Sequence, residues 1–192
     1  MVRRFKSALA AGACITVLAL GGQALANVTV IGGGFAEDCS TLARSAAASR
    51  MPSLDAVKTC TLAIENEVLS SHDLAATYVN RGVLYLGAQD YGSATRDFNS
   101  ALGIEPNLAE AFVNRGAALI GQGQDAQGVV EIDRGLALHP SEPEKAYFNR
   151  ALAKERLNDL KGAYYDYKKA EELKPGWAMP EAELTRFKVV EQ

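Results

Sequence analysis

The residue types that build catalytic and metal sites are scarce in this chain. Its 192 residues include three cysteines, two histidines and one tryptophan. A structural zinc site needs about four nitrogen or sulfur ligands, and no metal-binding spacing is present. There is also no glycine-rich phosphate loop and no nucleophile motif. The sequence therefore predicts that the protein is not an enzyme and holds neither a metal nor a cofactor.

Charge of one sign is not concentrated anywhere in the sequence. The chain has 20 basic and 23 acidic residues, so its formal net charge is −3. Nucleic acids and anionic membrane surfaces select strongly basic faces, and no block of like charge marks a disordered tail. Nucleic acid is therefore not an expected partner.

Long hydrophobic runs are also missing. The apolar run over 8–20 is shorter than the roughly 20 residues of a membrane-spanning helix. Basic residues at 3–6 precede it, and small residues within 24–26 suit a signal peptidase. The pattern predicts a cleaved signal peptide over 1–26 and a periplasmic or secreted mature protein without stable membrane insertion. A lipid-attachment signal at Cys14 is the alternative, disfavoured because the apolar run continues beyond that cysteine.

Removal of the signal peptide would leave two cysteines, Cys39 and Cys60. In an oxidising compartment, such a pair tends to become a disulfide. We expect this pair to be joined, with two free buried thiols as the alternative.

Internal repetition is the strongest feature of the sequence. Asn80-Arg81-Gly82 recurs as Asn114-Arg115-Gly116 and as Asn149-Arg150-Ala151, at offsets of 34 and 35 residues. Each copy also has a ring two residues before the asparagine, then small, bulky, small and proline positions after it. These are Tyr78, Ala94, Phe98, Ala101 and Pro106; Phe112, Gly128, Ile132, Gly135 and Pro140; and Tyr147, Ala163, Tyr167, Ala170 and Pro175. Small residues let two helices approach closely, and proline ends a helix because it lacks an N–H.

This pattern closely resembles the tetratricopeptide repeat, a helix-turn-helix unit of 34 residues. The resemblance implies an all-α fold, an α-solenoid of antiparallel helix pairs closed by a C-terminal capping helix. Ala56, Cys60 and Ala63 repeat the small-large-small spacing, which indicates a degenerate extra repeat. In chain order, we expect a flexible leader (27–36), the degenerate first repeat (37–72), three repeats (73–107, 108–141, 142–176) and the capping helix (177–192), with Leu184 and Phe187 on one face.

Two glycines set the second of the three good repeats apart. Gly128 and Gly135 lie inside its predicted second helix, where each glycine costs about 1 kcal/mol relative to alanine. Residues 125–138 should therefore exchange their amide hydrogens before residues 91–104.

An acidic residue follows each repeated arginine by sixteen positions. The resemblance places the two where the helices of one repeat face each other, so we expect three interhelical ion pairs. The alternative is that the arginines bind an acidic partner. The pairs are Arg81 and Asp97, Arg115 and Glu131, and Arg150 and Asp166.

The resemblance also implies a concave face, lined by the first helix of each repeat. Apolar residues would turn outward there, and asparagines beside them could bond the backbone of an extended peptide. The predicted binding residues are Val79, Asn80, Val83, Val113, Asn114, Ala117, Phe148 and Asn149; the alternative is that some of the apolar ones pack on neighbouring helices instead. This face lacks the basic carboxylate clamp of some members, so specificity for an acidic C-terminus is not expected. The function predicted is an adaptor or scaffold of the bacterial envelope that binds a protein or peptide; the alternative is a self-associating structural subunit, a homo-oligomer.

Overall fold

A computed structural model describes residues 4–7, 34–49 and 54–190 of the chain. Cys14, the predicted leader before residue 34 and all of the predicted signal peptide except residues 4–7 lie outside the described residues. The elements are strand β1 (Arg4–Ser7), helices α1 (Phe35–Ser49), α2 (Leu54–Asn66), α3 (Ser71–Gly87), α4 (Tyr91–Ile104), α5 (Ala109–Gly121), α6 (Asp125–Ala137), α7 (Pro143–Arg156), α8 (Leu160–Leu173) and α9 (Ala178–Leu184), and strand β2 (Phe187–Val190).

Side-chain caps fix where several of the helices begin. Ser70 accepts a hydrogen bond from the backbone N–H of Asp73 at the start of α3. Asp90 and Asp159 cap α4 and α8 in the same way. Such caps satisfy N–H groups that have no partner within the helix, and each contributes about 1 kcal/mol.

The turn inside each good repeat uses the left-handed backbone conformation. Gln89, Gly123 and Asn158 occupy equivalent positions, with φ of 62°, 77° and 64°. A left-handed residue at this point ends the first helix and reverses the chain into the second. The three repeats therefore share one turn geometry despite three different residues.

The helices pack as consecutive antiparallel pairs: α1 with α2, α3 with α4, α5 with α6 and α7 with α8. The second helix of each pair packs on the first helix of the next, and the first helices α1, α3, α5 and α7 follow one another side by side. Buried apolar residues of the described elements form three successive clusters, one from α1 to α5, one on α5 to α7 and one from α7 to β2. The predicted all-α solenoid is thus confirmed.

The degenerate first repeat is held by covalent and polar contacts. Cys39 of α1 and Cys60 of α2 form a disulfide, and both residues are fully buried. The Glu67 carboxylate accepts hydrogen bonds from the backbone N–H groups of Phe35 and Ala36, at 2.6 and 3.1 Å. The carboxylate therefore caps the beginning of α1 from the far end of α2.

The C-terminal capping helix is shorter than the sequence predicted. We expected one helix to carry both Leu184 and Phe187, but α9 ends at Leu184 and Phe187 begins β2. β2 pairs antiparallel with β1, with Phe187 opposite Ser7. A strand is favoured because β-branched residues at 189–190 suit extended backbone. The partner strand comes from the other end of the chain, so helical periodicity alone gave the wrong end point.

None of the described helices combines the length and apolar character that a membrane crossing requires.

Candidate functional site

The first helices of the three good repeats share one side of the solenoid, here called the first-helix face. It consists of the second, fifth, ninth and twelfth repeat positions on α3, α5 and α7. These residues are Ala76, Val79, Val83 and Leu86; Glu110, Val113, Ala117 and Ile120; and Lys145, Phe148, Leu152 and Glu155. The repeated asparagines Asn80, Asn114 and Asn149 each follow the fifth position directly.

The eight predicted binding residues do not form an open surface. Val83 is the most exposed of them at 4%, and the other seven are between 0 and 2%. Neighbouring elements supply part of this burial. The Phe148 ring packs at a tilt against Tyr167 of α8 and Trp177 before α9, with ring centroids 5.6 and 5.2 Å away. Val113 belongs to a buried cluster of α5, α6 and α7. The expectation of an exposed apolar groove is therefore wrong for this structure.

Two of the three asparagines are buried without satisfying their amide groups. Asn114 and Asn149 are 0% exposed, and neither the nitrogen nor the oxygen of either amide has a hydrogen-bond partner among the described residues. Asn80, in contrast, does interact with another group. More than nine in ten buried polar groups are paired, and each unpaired one costs about 1–3 kcal/mol. Asn114 and Asn149 thus hold unused donors and acceptors at equivalent positions of adjacent repeats.

The charged members of the first-helix face are already engaged within the chain. Glu110 accepts a hydrogen bond from the backbone N–H of Ser141 at 3.0 Å, and Lys145 pairs with Glu142 at 2.6 Å. Glu155 accepts from the Tyr167 hydroxyl at 3.2 Å and from Arg186 at 2.8 Å. The face therefore does not present these charges as an ionic clamp.

The C-terminal end of the face is a partly desolvated charge cluster. Arg186 pairs with both Glu155 and Glu183. Burial raises the pKa of the Glu183 carboxyl; Arg186 opposes this shift and Glu155 adds to it. Burial also raises the pKa of Tyr167, as do the two carboxylates. The cluster fixes the segment after α9 against α7 and α8.

Each repeated arginine bridges the two helices of its own repeat. Its Nε and Nη2 atoms both donate to the acidic residue sixteen positions later. The Nε distances are 2.8 Å for Arg81 to Asp97, 2.9 Å for Arg115 to Glu131 and 2.8 Å for Arg150 to Asp166. Such fork-shaped contacts are stronger and more directional than single hydrogen bonds.

The same arginines also reach the preceding repeat, a contact that sequence reasoning missed. The Nη1 atom of Arg81 donates a hydrogen bond to Thr61 at 3.0 Å. The Nη1 atoms of Arg115 and Arg150 likewise donate to Asn99 at 2.7 Å and to Asp133 at 2.6 Å. Each guanidinium lies 5.1–5.6 Å from the ring three residues before it. A polar residue 16 or 17 positions before the second and third arginines was the available signal. Because these N–H groups all donate within the chain, the arginines link the two helices of each repeat and also link each repeat to the preceding one.

Comparisons with known proteins agree with this geometry. The family model described as tetratricopeptide repeat matches residues 75–108 and 144–176. A comparison with curated proteins gives no match. Among solved structures, the chain is similar to the first TPR domain of human RPAP3 (24% identity, 60% of this chain, 90% of that chain, TM-score 0.56). It is also similar to the first TPR of Spaghetti (RPAP3) bound to the HSP90 peptide SRMEEVD (24% identity, 58% of this chain, 87% of that chain, TM-score 0.54). A third similar structure is MamA from Desulfovibrio magneticus RS-1 (20% identity, 79% of this chain, 82% of that chain, TM-score 0.57).

The family-model matches fall on the first and third good repeats. The second repeat lies between them, and its helices have the same pairing, the same turn and the same interhelical arginine–carboxylate contact as its neighbours. Residues 75–108 and 144–176 of this chain are thus tetratricopeptide repeats, and the described helices around them form a solenoid of the same kind.

Proposed function

We propose that this protein is a non-catalytic adaptor or scaffold that binds a protein or an extended peptide through the first-helix face. The observation that carries the proposal is the pair of unsatisfied amides at Asn114 and Asn149. A peptide backbone offers N–H donors and C=O acceptors at regular intervals. Bound along adjacent repeats, it would supply the hydrogen-bond partners that these two amides lack. Binding would remove the penalty for leaving them unpaired.

The proposal includes exposure of the first-helix face when the partner binds. Because Val79, Val113 and Phe148 are buried in the free structure, a partner reaches them only if the face opens. Once open, the apolar residues would accept side chains of the bound segment while the asparagines bind its backbone. Binding of this kind should survive moderate salt, since it does not depend on exposed ion pairs, which salt screens.

We place the protein in the bacterial envelope after export. Support comes from the signal-peptide pattern over 1–26 and from the buried disulfide between Cys39 and Cys60. Disulfides persist in oxidising compartments such as the periplasm.

A solved structure of similar fold also supports the proposed peptide binding: the first TPR of Spaghetti (RPAP3) is bound to an HSP90 peptide.

The test replaces Asn149 with leucine, a side chain of nearly the same shape without polar atoms. The matched control is Thr77→Val, because Thr77 is equally buried but its hydroxyl donates to the Asp73 carbonyl at 2.7 Å. Partner retention is measured by crosslinking in the native envelope followed by mass spectrometry, and stability by thermal unfolding. Asn149→Leu should increase the free energy of unfolding by about 1 kcal/mol and abolish retention of the partner. Thr77→Val should decrease the free energy of unfolding slightly and leave retention of the partner unchanged.

A stabilised Asn149→Leu protein that still retains its partner would place binding elsewhere. If light scattering then shows that the molar mass of the protein rises with protein concentration, a self-associating structural subunit becomes the favoured function.

A further inference from the structure

Two residues that follow α8 contact the part of the first-helix face that belongs to α7. The Trp177 ring lies 5.2 Å from the Phe148 ring, and Phe148 is fully buried. Arg186 donates to the Glu155 carboxylate at 2.8 Å. Phe148 and Glu155 are the fifth- and twelfth-position residues that α7 contributes to the face. Trp177 and Arg186, here called the C-terminal cover, therefore engage the ring and the carboxylate of this part of the face.

The helix between the two cover residues packs mainly on α8 and not on α7. It is α9 (Ala178–Leu184), and the cover residues flank it on either side. Gly176, directly before Trp177, has a left-handed φ of 77°, and no described residue beyond its two chain neighbours has an atom within 4 Å of an added Cβ. Glycine adopts positive and negative φ about equally readily. Backbone rotation at Gly176 and side-chain rotation at Arg186 can therefore uncover α7 while α9 stays on α8.

The hydrogen bonding of the cover arginine is incomplete. Glu155 and Glu183 share the Arg186 guanidinium, and its buried Nε has no hydrogen-bond partner among the described residues. An unpaired buried donor costs free energy. The Nε atoms of the three repeated arginines, in contrast, all donate to a carboxylate. The Arg186 side chain is also 33% exposed, so salt screens its ion pairs. The cover is thus held less firmly than the interior of the repeats.

We propose that the C-terminal cover is an internal competitor of the partner, which occupies the α7 part of the first-helix face and is displaced when the partner binds there. The inference rests on the proposed function of that face. It adds an autoinhibitory contact and the chemistry of the segment that relieves it.

The chemistry of that segment follows from what the cover leaves behind. Without Trp177, the Phe148 ring loses an aromatic neighbour, and without Arg186 the Glu155 carboxylate keeps the Tyr167 hydroxyl as its hydrogen-bond donor among the described residues. Aromatic pairs and charge-assisted hydrogen bonds both add to affinity. A partner segment that carries an aromatic ring and a basic side chain restores both contacts and is favoured over an acidic one.

The first experiment uses the chain's single tryptophan as the reporter of displacement. The probe is a peptide with the sequence of residues 174–187 in which phenylalanine replaces the tryptophan, so that only Trp177 of the protein emits. Peptide binding to the unmodified full-length chain should shift the Trp177 emission to longer wavelength and increase its quenching by acrylamide. A peptide that binds while Trp177 stays shielded would overturn the proposal, because binding would then not displace the cover.

The second experiment weakens the cover and measures anisotropy of the same peptide carrying a fluorescent label. Arg186→Gln should bind the peptide at least about tenfold more tightly than the unmodified chain, because an intramolecular competitor is removed. The matched control is Arg134→Gln, since Arg134 also pairs with a glutamate but lies away from the cover. Circular dichroism checks that both variants are folded. Equal affinity of Arg186→Gln and Arg134→Gln would contradict an internal competitor.

A variant on the other side of the ion pair separates competition from simple loosening. Glu155→Gln also releases Arg186, but it removes the carboxylate that the basic side chain of the peptide needs. Its affinity for the peptide should therefore stay about tenfold below that of Arg186→Gln, roughly the effect of one charge-assisted hydrogen bond. If both variants gain affinity equally, the peptide does not take the place of Arg186, and the proposal is wrong.

The peptide measurements require no native partner, so their failure is distinguishable from failure of the proposed function. Retention of the native partner, measured by crosslinking in the envelope, then connects the two. It should be higher for Arg186→Gln than for Arg134→Gln. Equal retention by the two variants would show that the cover does not compete with the partner.

Discussion

The second and third good repeats close their helix pairs by different means. In the second, α5 and α6 approach through glycine: a Cβ added to Gly128 would lie 2.8 Å from the Gly116 carbonyl oxygen, and one added to Gly116 would lie 2.8 Å from that of Gly128. In the third, alanines Ala151 and Ala163 occupy these positions and the Tyr167 ring fills the space that Ile132 fills in the second. Backbone contact and aromatic filling therefore produce the same helix pair.

The two repeats also differ in how their arginines are neutralised. Arg150 bonds to two carboxylates, Asp166 in its own repeat and Asp133 in the preceding one. Arg115 bonds to one carboxylate, Glu131, and to the neutral amide of Asn99. The third repeat thus relies more on charge and rings, and the second more on close backbone packing.

Removal of the third-repeat arginine should have the largest effect. Arg150→Ala leaves Asp166, whose side chain is 7% exposed, with Lys154 as its one remaining ion-pair partner among the described residues. Breaking a buried pair from one side costs about 3–5 kcal/mol; we expect about 3, since Lys154 remains. Arg115→Ala should cost less, because Glu131 keeps Arg134. Urea unfolding measures both.

The exposed Arg134 provides the control for this comparison. Its side chain is 59% exposed, so Arg134→Ala should cost less than about 1 kcal/mol. If Arg150→Ala were equally mild, the arginines would not fasten the repeats, and binding of an acidic partner would regain support.

A methyl group should separate the two packing modes. Gly128→Ala places a Cβ 2.4 Å from the Cγ1 atom of Ile120 as well as against the Gly116 carbonyl. Overpacking of this kind costs about 1–3 kcal/mol, although alanine has the better helix propensity. At the equivalent position of the third repeat, Ala163→Gly should cost about 1 kcal/mol.

Thermal unfolding of the two variants decides the comparison. A Gly128→Ala protein that is more stable than the unmodified chain would mean that α5 and α6 can separate without loss. The glycines would then be a weakness of the second repeat and not its packing device.

The repeats could be found in the sequence because each element of their packing is local. Small residues such as Gly82 are enforced by a nearby ring: a Cβ there would lie 2.5 Å from Phe98. Such constraints recur at fixed spacing and reveal both helices and their pairing. The same spacing predicted which residue types face each other across a repeat.

Exposure could not be predicted in the same way, because it depends on elements distant in sequence. Phe148 occupies a position that usually faces outward in the family, but Trp177 covers it. Phe187 fits a helix by periodicity, yet it lies in a strand whose partner starts at Arg4. The unpaired state of Asn114 and Asn149 likewise depends on which groups fail to approach them.

Hydrogen exchange should reveal a smaller difference within the solenoid. Helix propensity predicts that α6, with Gly128 and Gly135 inside it, opens before α4, by about 1 kcal/mol for each glycine. Close packing of Gly135 on the Ala109 carbonyl, 3.0 Å from an added Cβ, acts in the opposite direction. We keep the expectation that residues 125–138 exchange first. Equal protection of 125–138 and 91–104 would show that packing offsets the propensity loss.

The turn between the two helices of each repeat should show the smallest effect, and its sign should differ between the second and third repeats. Gly123 and Asn158 have nearly the same left-handed φ, 77° and 64°. Glycine adopts this conformation without a Cβ penalty, whereas asparagine tolerates it less well. Asn158→Gly should therefore increase the free energy of unfolding by a few tenths of a kcal/mol. The relief of backbone strain in the folded state exceeds the entropy that glycine adds to the unfolded chain. Gly123→Ala should cost about 1 kcal/mol, although no described residue beyond its two chain neighbours has an atom within 4 Å of an added Cβ. Since steric contact is absent there, a measured loss reports backbone strain alone. A Gly123→Ala protein as stable as the unmodified chain would show that the turn of the second repeat relaxes out of the left-handed region.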